Sequence, residues 1–381
     1  MFNGLFSRIK GDPIIWAVVL LLSFISLLVI YSSTEAISYR KHGGDTGYYV
    51  VKQAGFLVAG LIIMYVCHLF NYMLYARFAP IALITSIILL FVTLFMGSIN
   101  SASRWLFIGD SSVSFQTSDM AKLGLILFVA LGLSKMQTQG EKNAVGNFWS
   151  IFLPILIVCG LIAPANLSTA ALLFFTCICL MFVGRVDLKA MGNVLLAGAG
   201  LFAVLILIGD AAPRIVRVST WASRIRNFLL PDETLGMSLS QVNQAKMAIA
   251  KGGLFGVGPG NGTMANNLTH AYSDYAYSVV IEEYGLLLGG AGLLFLYLTL
   301  MYRCVIMVTK SPKAFGALLA FGLSLLLVTQ ALAHMAVNVN LMPVTGLPLP
   351  LISLGGTSLL FSSISLGIIL SVSRYIEVSQ Q

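Results

Sequence analysis

Long apolar runs, separated by short polar segments, recur along almost the whole chain. A helix needs about 20 apolar residues to cross the ~30 Å hydrocarbon core of a bilayer. The pattern therefore predicts an all-α, polytopic membrane protein with about ten transmembrane helices. The predicted spans lie at residues 13–31, 54–71, 79–97, 119–134, 148–163, 167–184, 192–210, 276–302, 314–337 and 351–373.

The polar stretches set the domain organisation. None of them suits a separate soluble domain, so residues 1–381 are predicted to form a single integral membrane domain. The longest stretch, residues 211–275, is predicted to be a large extracytoplasmic loop between spans 7 and 8. It carries several arginines and a glycine-rich run that hydropathy does not explain, so we expect function to gather there.

Composition excludes other protein classes. Hydrophobic residues make up 58% of the chain and charged residues 9%, against about 25% charged residues in soluble domains, which excludes a soluble enzyme. The net charge of +8 does not indicate a nucleic-acid partner, because most Lys and Arg residues stand at the ends of apolar runs. Cations in those positions orient helices and meet anionic headgroups.

The even number of spans and the distribution of cations predict the orientation. Ten spans place both termini on one side, and the short loops on that side carry more Lys and Arg than the loops opposite, which predicts cytoplasmic termini. The run from Pro13 to Ile30 follows basic residues but lacks a small-residue cleavage site. We therefore expect it to be the first span of a protein of the cytoplasmic (inner) membrane and not a signal peptide.

Residues 340–356 interrupt the apolar sequence ahead of the last span with three prolines and three glycines. Non-helical backbone at membrane depth is tolerated only where protein or a water-filled cavity satisfies its polar groups. We therefore expect this segment to line a cavity. The alternative is an ordinary interhelical loop in which Pro and Gly mark turns.

Asp274 stands where the long loop enters the next apolar helix, and two interpretations are open. A carboxylate at the start of a helix is stabilised by unpaired backbone amides and by the macrodipole, which makes Asp274 a helix cap. The other interpretation makes it a general base at the membrane surface.

Glu282 and Glu283 lie further along the same helix, about 12 Å deeper at 1.5 Å per residue. Two carboxylates at that depth are costly unless they are paired, protonated or facing a cavity. They indicate either an ion or proton route or partners for a Lys or Arg. We favour the paired arrangement, because adjacent helical residues point about 100° apart and do not address one ligand easily.

The run from Lys251 to Gly262 contains six glycines in twelve residues. Backbone amides of such a loop can bind phosphate, but neither the Gly-Lys-Ser/Thr ending of a P-loop nor a parallel sheet accompanies it. The preceding residues 241–250 have the spacing of a short amphipathic helix lying on the bilayer.

A further outer segment runs from Gly97 to Leu123. Arg104 beside Trp105 is typical of an interfacial anchor. The alternative is that Arg104 and Lys122 face an outer cavity and neutralise an anionic ligand. The rim of that cavity would then be lined by Gln116, Ser118 and Asp119.

Four motifs, in order along nearly all of the chain, carry a family resemblance. They run from Ser103 to Leu123, from Gln241 to Gly260, from His270 to Gly285 and from Leu341 to Ser358. In these motifs the chain resembles the SEDS family (shape, elongation, division and sporulation), the FtsW and RodA proteins that polymerise peptidoglycan. The elements Pro343-Val-Thr-Gly346 and Tyr272-Ser-Asp274-Tyr favour the FtsW branch, which acts in septal cell-wall synthesis during division.

The resemblance implies a peptidoglycan glycosyltransferase that uses lipid II as donor and acceptor. A sugar hydroxyl of one lipid II attacks the anomeric carbon of the growing chain, with inversion, and lipid pyrophosphate leaves. Asp274, the position held to be essential in this family, is implied to take the hydroxyl proton. Fixed cations or a divalent cation, Mg or Mn, would stabilise the leaving group, with no organic cofactor.

The resemblance also gives the remaining site residues and the partners. The cation candidates are Arg104, Lys122, Arg217 and Arg224. The other substrate-binding candidates are Gln116, Ser118, Asp119, Gln241, Gln244, His270 and Ser353. The implied partners are a class B penicillin-binding protein, which is a transpeptidase, and other divisome membrane proteins.

The chain departs from the family pattern at several positions, none of which is Asp274. Thr117 and Asp119 replace Pro and Glu, Ala245 replaces Ser, His334 replaces Asn, Asn166 replaces Asp, and three residues instead of one separate His270 from Asp274. Two other function classes stay open at this point. A lipid II flippase or transporter is favoured by the intramembrane glutamates and broken helices, and the third class is a noncatalytic divisome scaffold.

Overall fold

The fold is that of a computed structural model. It describes residues 10–34, 38, 46–95, 105–107, 114–139, 144–211, 218–230, 236–264, 268 and 271–380.

Helices dominate the described residues. The first seven are α1 (Pro13–Ser33), α2 (Gly47–Leu69), α3 (Tyr72–Phe95), α4 (Thr117–Gln139), α5 (Ala144–Ile162), α6 (Leu167–Val183) and α7 (Leu188–Ala211). The others are α8 (Val218–Leu229), α9 (Gly236–Gly252), α10 (Ala276–Tyr284), a π-helical segment (Gly285–Ala291), α11 (Gly292–Lys310), α12 (Ala314–Asn338) and α13 (Gly356–Gln380). Two short antiparallel strands, β1 (Trp105–Phe107) and β2 (Ser114–Gln116), pair Trp105 with Gln116.

Each of the ten predicted spans overlaps one of the helices α1 to α7, the stretch from α10 to α11, α12 or α13. Among the described residues, eight helices are long and apolar enough to cross a membrane, and two shorter apolar helices lie at Phe148–Ile162 and Leu167–Val183. The prediction of a multi-pass helical membrane protein is confirmed. Several predicted boundaries were wrong by five to eight residues: α2 begins at Gly47 and not at residue 54, α3 begins at Tyr72 and not at 79, α11 ends at Lys310 and not at 302, and α13 spans Gly356–Gln380 and not 351–373.

The loop predicted at 211–275 contains two helices, α8 and α9. The predicted helix at 241–250 is confirmed as part of α9. Its buried face is formed by Ala245 and Ala248, and it packs against α10. The loop is therefore folded back onto the bundle in this part of the chain.

Helices α4, α12 and α13 are the most buried, whereas α2 and α7 are the most exposed of the spans. Large apolar side chains cover the outer helices, as at Leu196 and Leu207 of α7. Apolar side chains on the outside of a spanning helix are expected to face lipid.

The start of α1 shows how the sequence closes one end of the bundle. Pro13 occupies the first helical position, and an Asp12 carboxylate oxygen accepts from the Ile14 amide at 2.9 Å. The other Asp12 oxygen pairs with Arg303 of α11, 2.6 Å from Nη2. The Asp12 amide donates to Ser373 Oγ of α13 at 2.9 Å. The carboxylate and the amide of Asp12 thus join three helices.

The eighth span is broken at Gly285, and the glycine-rich run repairs the break. Helix α10 ends there, and the freed backbone groups bond to the run that follows α9. The bonds are Val257 N to Glu282 O (2.9 Å), Gly258 N to Glu283 O (3.0 Å), Leu286 N to Gly253 O (2.9 Å) and Leu287 N to Leu254 O (3.2 Å). Such pairing satisfies backbone that would otherwise be exposed at membrane depth.

Glycine is required where these two segments touch. Gly256 has φ +82° and Gly285 has φ +78°, a region that side chains other than glycine rarely adopt. A Cβ at Gly256 would lie 2.2 Å from the Glu283 carbonyl oxygen, and one at Gly285 would lie 2.4 Å from the Leu254 carbonyl oxygen. Close backbone packing therefore explains Gly256 of the run and Gly285 opposite it.

Candidate active site

A cavity of about 600 Å³ opens between the start of α6, the amphipathic helix α8, the last turns of α12 and the residues that follow α12. Its walls are largely apolar, with Arg224 of α8 as the cationic side chain among the residues that line it. Trp221 of the same helix is buried against Phe202 of α7, with ring centroids 6.2 Å apart. This stacking holds α8, and with it Arg224, at the cavity.

The interrupted segment 340–356 forms one wall of the cavity, through residues 342–345 and Leu347. The prediction that it lines a cavity is confirmed. Four of its main-chain carbonyls each accept a hydrogen bond from a side chain of a helix. The pairs are Arg224 Nη1 with Thr345 (3.3 Å), His334 Nδ1 with Leu347 (2.8 Å), Gln330 Nε2 with Pro348 (2.9 Å) and Tyr297 Oη with Pro350 (2.5 Å).

Asp274 lies half-buried in the turn that leads into α10. Tyr275, and not Asp274, is the N-cap residue of α10, and it makes no side-chain capping bond. The interpretation of Asp274 as the helix cap is therefore wrong. Within the part of the chain that the structure describes, no hydrogen bond or ion pair reaches the Asp274 carboxylate.

The main chain of this turn is held from two sides. Three successive carbonyls each accept a hydrogen bond from the segment after α12 or from α12 itself. The pairs are Leu354 N with Tyr272 O (2.9 Å), Ser353 Oγ with Ser273 O (2.7 Å) and Asn338 Nδ2 with Asp274 O (3.0 Å). The turn and the cavity wall are therefore one connected structure.

Tyr275 links Asp274 electrostatically to the cavity. Its pKa is raised to about 12, first by burial and then by the negative charge of Asp274, while the positive charge of Arg224 opposes the rise. The pKa of Tyr272 is also raised, by burial, by Tyr49 and by Asp274. The two charges that act on Tyr275 thus place a carboxylate and a guanidinium on the same side of the molecule.

Lys122 is not a free cation on an open rim. It is buried on α4, and its Nζ lies 2.8 Å from an Asp119 carboxylate oxygen one turn earlier and 3.2 Å from Gln330 Oε1. Opposite charges one turn apart in a buried place pair with each other, so Asp119 and Lys122 form an ion pair, and the outer cavity expected between Arg104 and Lys122 stays a prediction because Arg104 lies outside the described residues. Whether they act on a substrate stays a prediction.

The remaining predicted site residues fall into four groups. Gln116 donates from Nε2 to Ser118 Oγ at 2.8 Å, beside the buried end of α4 and away from the cavity lining. Gln241 and Gln244 are partly buried on α9. Ser353 is buried, accepts from Leu349 N at 2.8 Å and donates to the Asp274 turn, so it holds main chain. Arg104, Arg217 and His270 lie outside the described residues.

Glu282 and Glu283 are fully buried, and among the described residues Glu283 Oε2 has no hydrogen-bond partner. Glu282 Oε1 accepts from Met264 N at 2.9 Å and lies 3.6 Å from Lys251 Nζ. A Glu283 oxygen accepts from Ser32 Oγ of α1. The predicted pairing of these glutamates with a cation is confirmed for Glu282, and the pair belongs to the packing of the broken span.

Sequence reasoning missed three side chains of this region. Gln330 and Asn338 of α12 and Tyr297 of α11 hold the cavity wall or the Asp274 turn. A signal was present for two of them, because Gln330, His334 and Asn338 recur every four residues and so share one face of an apolar helix.

The predicted divalent cation has no evident binding site among the described residues. No group of three or more His, Cys, Asp or Glu side chains is placed to hold a metal ion there. The divalent cation stays a prediction, and the residues now in view would act through their own charges and hydrogen bonds.

Comparisons with known proteins cover almost the whole chain. The family model described as "Cell cycle protein", which groups FtsW, RodA and SpoVE, matches residues 12–378. A protein of Geobacter sp. (strain M18) named "Probable peptidoglycan glycosyltransferase FtsW" is 29% identical over 379 residues, which are 96% of this chain and 98% of that protein.

Two solved structures share the fold. One, described as "Structural coordination of polymerization and crosslinking by a peptidoglycan synthase complex", has a TM-score of 0.70 and 26% identity and covers 96% of this chain and 98% of that chain. The other is the Rod shape determining protein RodA of Thermus thermophilus, with a TM-score of 0.65 and 26% identity over 96% of this chain and 97% of that chain.

Proposed function

This chain belongs to the FtsW, RodA and SpoVE family of cell cycle proteins, and from that premise we propose that it is a peptidoglycan glycosyltransferase that polymerises lipid II into glycan strands. The observation that carries the proposal is that an apolar cavity and the Asp274 turn share one wall. Arg224 and residues 342–345 line the cavity, and Ser353 and Leu354 of the same interrupted segment bond to the main chain of the Asp274 turn. A lipid-linked pyrophosphate sugar needs an apolar site for its tail, a cation for its phosphates and a base for the attacking hydroxyl.

The proposed reaction uses Asp274 as the general base. A sugar hydroxyl of the acceptor gives its proton to the Asp274 carboxylate while its oxygen bonds to the anomeric carbon of the donor. The bond from that carbon to the pyrophosphate oxygen breaks at the same time, and the configuration inverts. A carboxylate that no described residue binds is free to take the proton, which supports this role over a structural one.

Arg224 is proposed to stabilise the leaving pyrophosphate. A fixed guanidinium placed where charge develops lowers the barrier without reorganising during the reaction. Arg224 is oriented by its bond to the Thr345 carbonyl at 3.3 Å, so it is already fixed at the cavity wall. The apolar residues along α6 and α12 suit the polyprenyl tail, which would remain in contact with the bilayer.

The cellular setting follows from the same proposal. The glycan is made outside the cytoplasmic membrane, so the Asp274 turn would face outward and both termini would lie in the cytoplasm. A class B penicillin-binding protein would crosslink the strands, as partner of a chain that resembles part of a peptidoglycan synthase complex. The FtsW-like motifs favour septal synthesis during division, with other divisome membrane proteins as further partners.

The transporter alternative loses its main support. It rested on the intramembrane glutamates Glu282 and Glu283 and on broken helices, whereas Glu282 is bonded to Met264 N and Lys251, Glu283 accepts from Ser32, and the break in the span is closed by backbone hydrogen bonds to the glycine-rich run. A noncatalytic scaffold gains no specific observation. One function therefore stands.

The test is glycan formation from labelled lipid II by the purified protein, with and without its transpeptidase partner and with and without Mg²⁺ or Mn²⁺. We compare the wild type with Asp274→Asn and with Asp187→Asn, a control at an exposed aspartate between α6 and α7. Polymer from the wild type and Asp187→Asn, and none from Asp274→Asn, supports the proposal. A wild type that binds lipid II and makes no polymer under any condition contradicts it.

A further inference from the structure

Three polar side chains form a buried column on α12. Gln330, His334 and Asn338 stand four residues apart, so they lie on one face of the helix, and their residues are 3%, 1% and 1% exposed. Buried polar side chains in an apolar helix are costly unless their hydrogen bonds are made. Their partners therefore show what the column is for.

The column runs from the buried ion pair to the Asp274 turn. Gln330 joins Lys122 to the Pro348 carbonyl. His334 bonds to the Leu347 carbonyl through Nδ1 at 2.8 Å. Asn338, at the end of the helix, reaches the Asp274 turn. One helix face thus holds the cavity wall and the proposed base together.

Asn338 is the most fully used member of the column. Its Nδ2 donates to the Asp274 carbonyl at 3.0 Å and to the His334 carbonyl at 2.9 Å. Its Oδ1 accepts from the amide and the hydroxyl of Ser278 at 3.0 and 2.8 Å. A primary amide has two donor hydrogens and two acceptor lone pairs, so every one of its hydrogen-bonding positions is occupied.

These bonds replace the missing cap of α10. The backbone N–H of the third residue of a helix commonly donates a hydrogen bond to the side chain of the N-cap residue. Here Tyr275 is the N-cap and makes no such bond, and the amide of Ser278, the third residue, is bonded by Asn338 from another helix. Asn338 therefore fixes the direction of α10 and the carbonyl of Asp274 with one side chain.

We propose that Asn338 is a positioning residue for Asp274, an inference that rests on the proposed function. The main chain of the Asp274 turn is held by three hydrogen bonds, so the place of the Asp274 carboxylate relative to substrate depends on that main chain. Asn338 holds that main chain on the α12 side. Its loss would displace the base while leaving the apolar cavity and Arg224, which do not contact Asn338, able to bind lipid II.

The test measures turnover per molecule that binds lipid II in Asn338→Ala. A displacement of about 1 Å at a reacting group lowers rates roughly a hundredfold, so we expect turnover to fall about 10- to 100-fold with KM within about twofold of the wild type. A purely structural role would instead reduce the fraction of molecules that bind lipid II and leave the turnover of each unchanged.

Two further variants accompany Asn338→Ala, a control on α12 away from the network and a smaller change within the network. Ser324→Ala removes a buried hydroxyl from α12 that bonds to Phe321 and Met301 and touches neither the turn nor the cavity wall, and we expect wild-type turnover. Ser278→Ala removes one of the four Asn338 bonds, and we expect a loss of a few fold. If Asn338→Ala does not fold, Asn338→Asp carries the test, since it keeps the size and the acceptor for Ser278 and loses the amide donor to Asp274.

The outcomes distinguish failure of the positioning role of Asn338 from failure of the proposed function. Turnover of the Asn338 variant within twofold of the wild type, or an equal loss in Ser324→Ala, overturns the positioning role while the proposed function stands. Absence of polymer from the wild type itself overturns the proposed function and this inference together.

Discussion

The Asp274 turn leads into the short helix α10, the Glu282–Glu283 pair lies at the other end of that helix, and the two differ in what covers them. Glu282 and Glu283 are buried, and their oxygens are bonded to Met264 N, Lys251 and Ser32. Asp274 is half-buried, and the described residues hold its carbonyl and leave its carboxylate alone. Carboxylates that look alike in sequence are thus assigned to stability in one case and to chemistry in the other.

The same contrast holds for the two non-helical segments next to them. The glycine-rich run makes four backbone hydrogen bonds to the broken span. At Gly256 the two backbones lie too close together for a side chain to fit between them. The proline-rich segment 340–356 has its carbonyls held by side chains and keeps its other face toward a cavity. The first segment therefore serves the packing of the broken span, whereas the second leaves a face on a cavity where a ligand can bind.

Gly256→Ala should have the largest effect on stability. A Cβ there would lie 2.2 Å from the Glu283 carbonyl oxygen at φ +82°, so the run must move away from the broken span. We expect a loss of more than about 4 kcal/mol, a size reserved for such clashes and strain, seen as little folded protein in detergent. Gly260→Ala is the control, since no atom lies within 4 Å of its added Cβ although its φ of +74° is also positive. Equal yields of the two variants would contradict the packing role.

Lys122→Ala should come next. It leaves Asp119 buried without its ion-pair partner, which costs about 3–5 kcal/mol in buried pairs, and it also removes the donor to Gln330. Thermal unfolding in detergent measures the loss. The double variant Lys122→Met with Asp119→Leu should recover much of the stability, because it removes both charges. A double variant less stable than the single one would show that Lys122 stabilises through other contacts.

Glu282→Gln should destabilise moderately and leave the chemistry intact. The ion pair with Lys251 and the charge-assisted bond from Met264 N weaken, for a loss of about 1–3 kcal/mol. Polymerisation per folded molecule should match the wild type. A loss of turnover larger than the loss of folded protein would show that Glu282 takes part in the reaction and would contradict its purely structural role.

Arg224→Ala should lower activity at little expense in stability. Loss of a charge-assisted interaction of about 1.5–3 kcal/mol predicts a fall in kcat/KM of about tenfold to a hundredfold, measured by lipid II titration. Arg226→Ala is the matched control, since Arg226 lies on the same helix, is exposed and is absent from the cavity lining. Equal losses in both variants would indicate general attraction of the anionic substrate.

Tyr275→Phe should have the smallest effect, and only at high pH. The pKa of Tyr275 is raised from 10.0 to about 12 in the folded protein, so the unfolded chain loses its phenolic proton first. The wild type therefore keeps this stability below pH 10 and loses it as pH rises toward 12. Melting temperatures of the two proteins should follow parallel curves from pH 7 to 9 and converge or cross above pH 10. Parallel curves up to pH 12 would contradict the raised pKa.

The sequence predicts the spans well because lipid imposes long apolar runs. It also predicts the cavity wall at 340–356, since prolines and glycines at membrane depth demand partners, and it singles out Asp274 by its place at a helix start. The exact start of α13 was missed because Leu351 and Ile352 are apolar and buried although they lie in a turn and not in a helix.

The sequence does not reveal which residues of different helices and loops contact each other. The pairing of Lys251 with Glu282 and of the glycine-rich run with the broken span depends on how α9 folds back, which periodicity does not report. Asn338 is a single polar residue at a helix end, where an asparagine is ordinary. Its role depends on Ser278 and Asp274, which come from a different helix and a different loop.

The most direct test of the account compares Asp274→Asn and Glu282→Gln in the same two measurements, thermal unfolding and polymerisation of lipid II per folded molecule. We expect Asp274→Asn to unfold at the wild-type temperature and to make no polymer, since a positioned base contributes about 10²- to 10⁴-fold in rate. We expect Glu282→Gln to unfold at a lower temperature and to polymerise lipid II at the wild-type rate. Polymerisation by Asp274→Asn at the wild-type rate would contradict the assignment of Asp274 as the base.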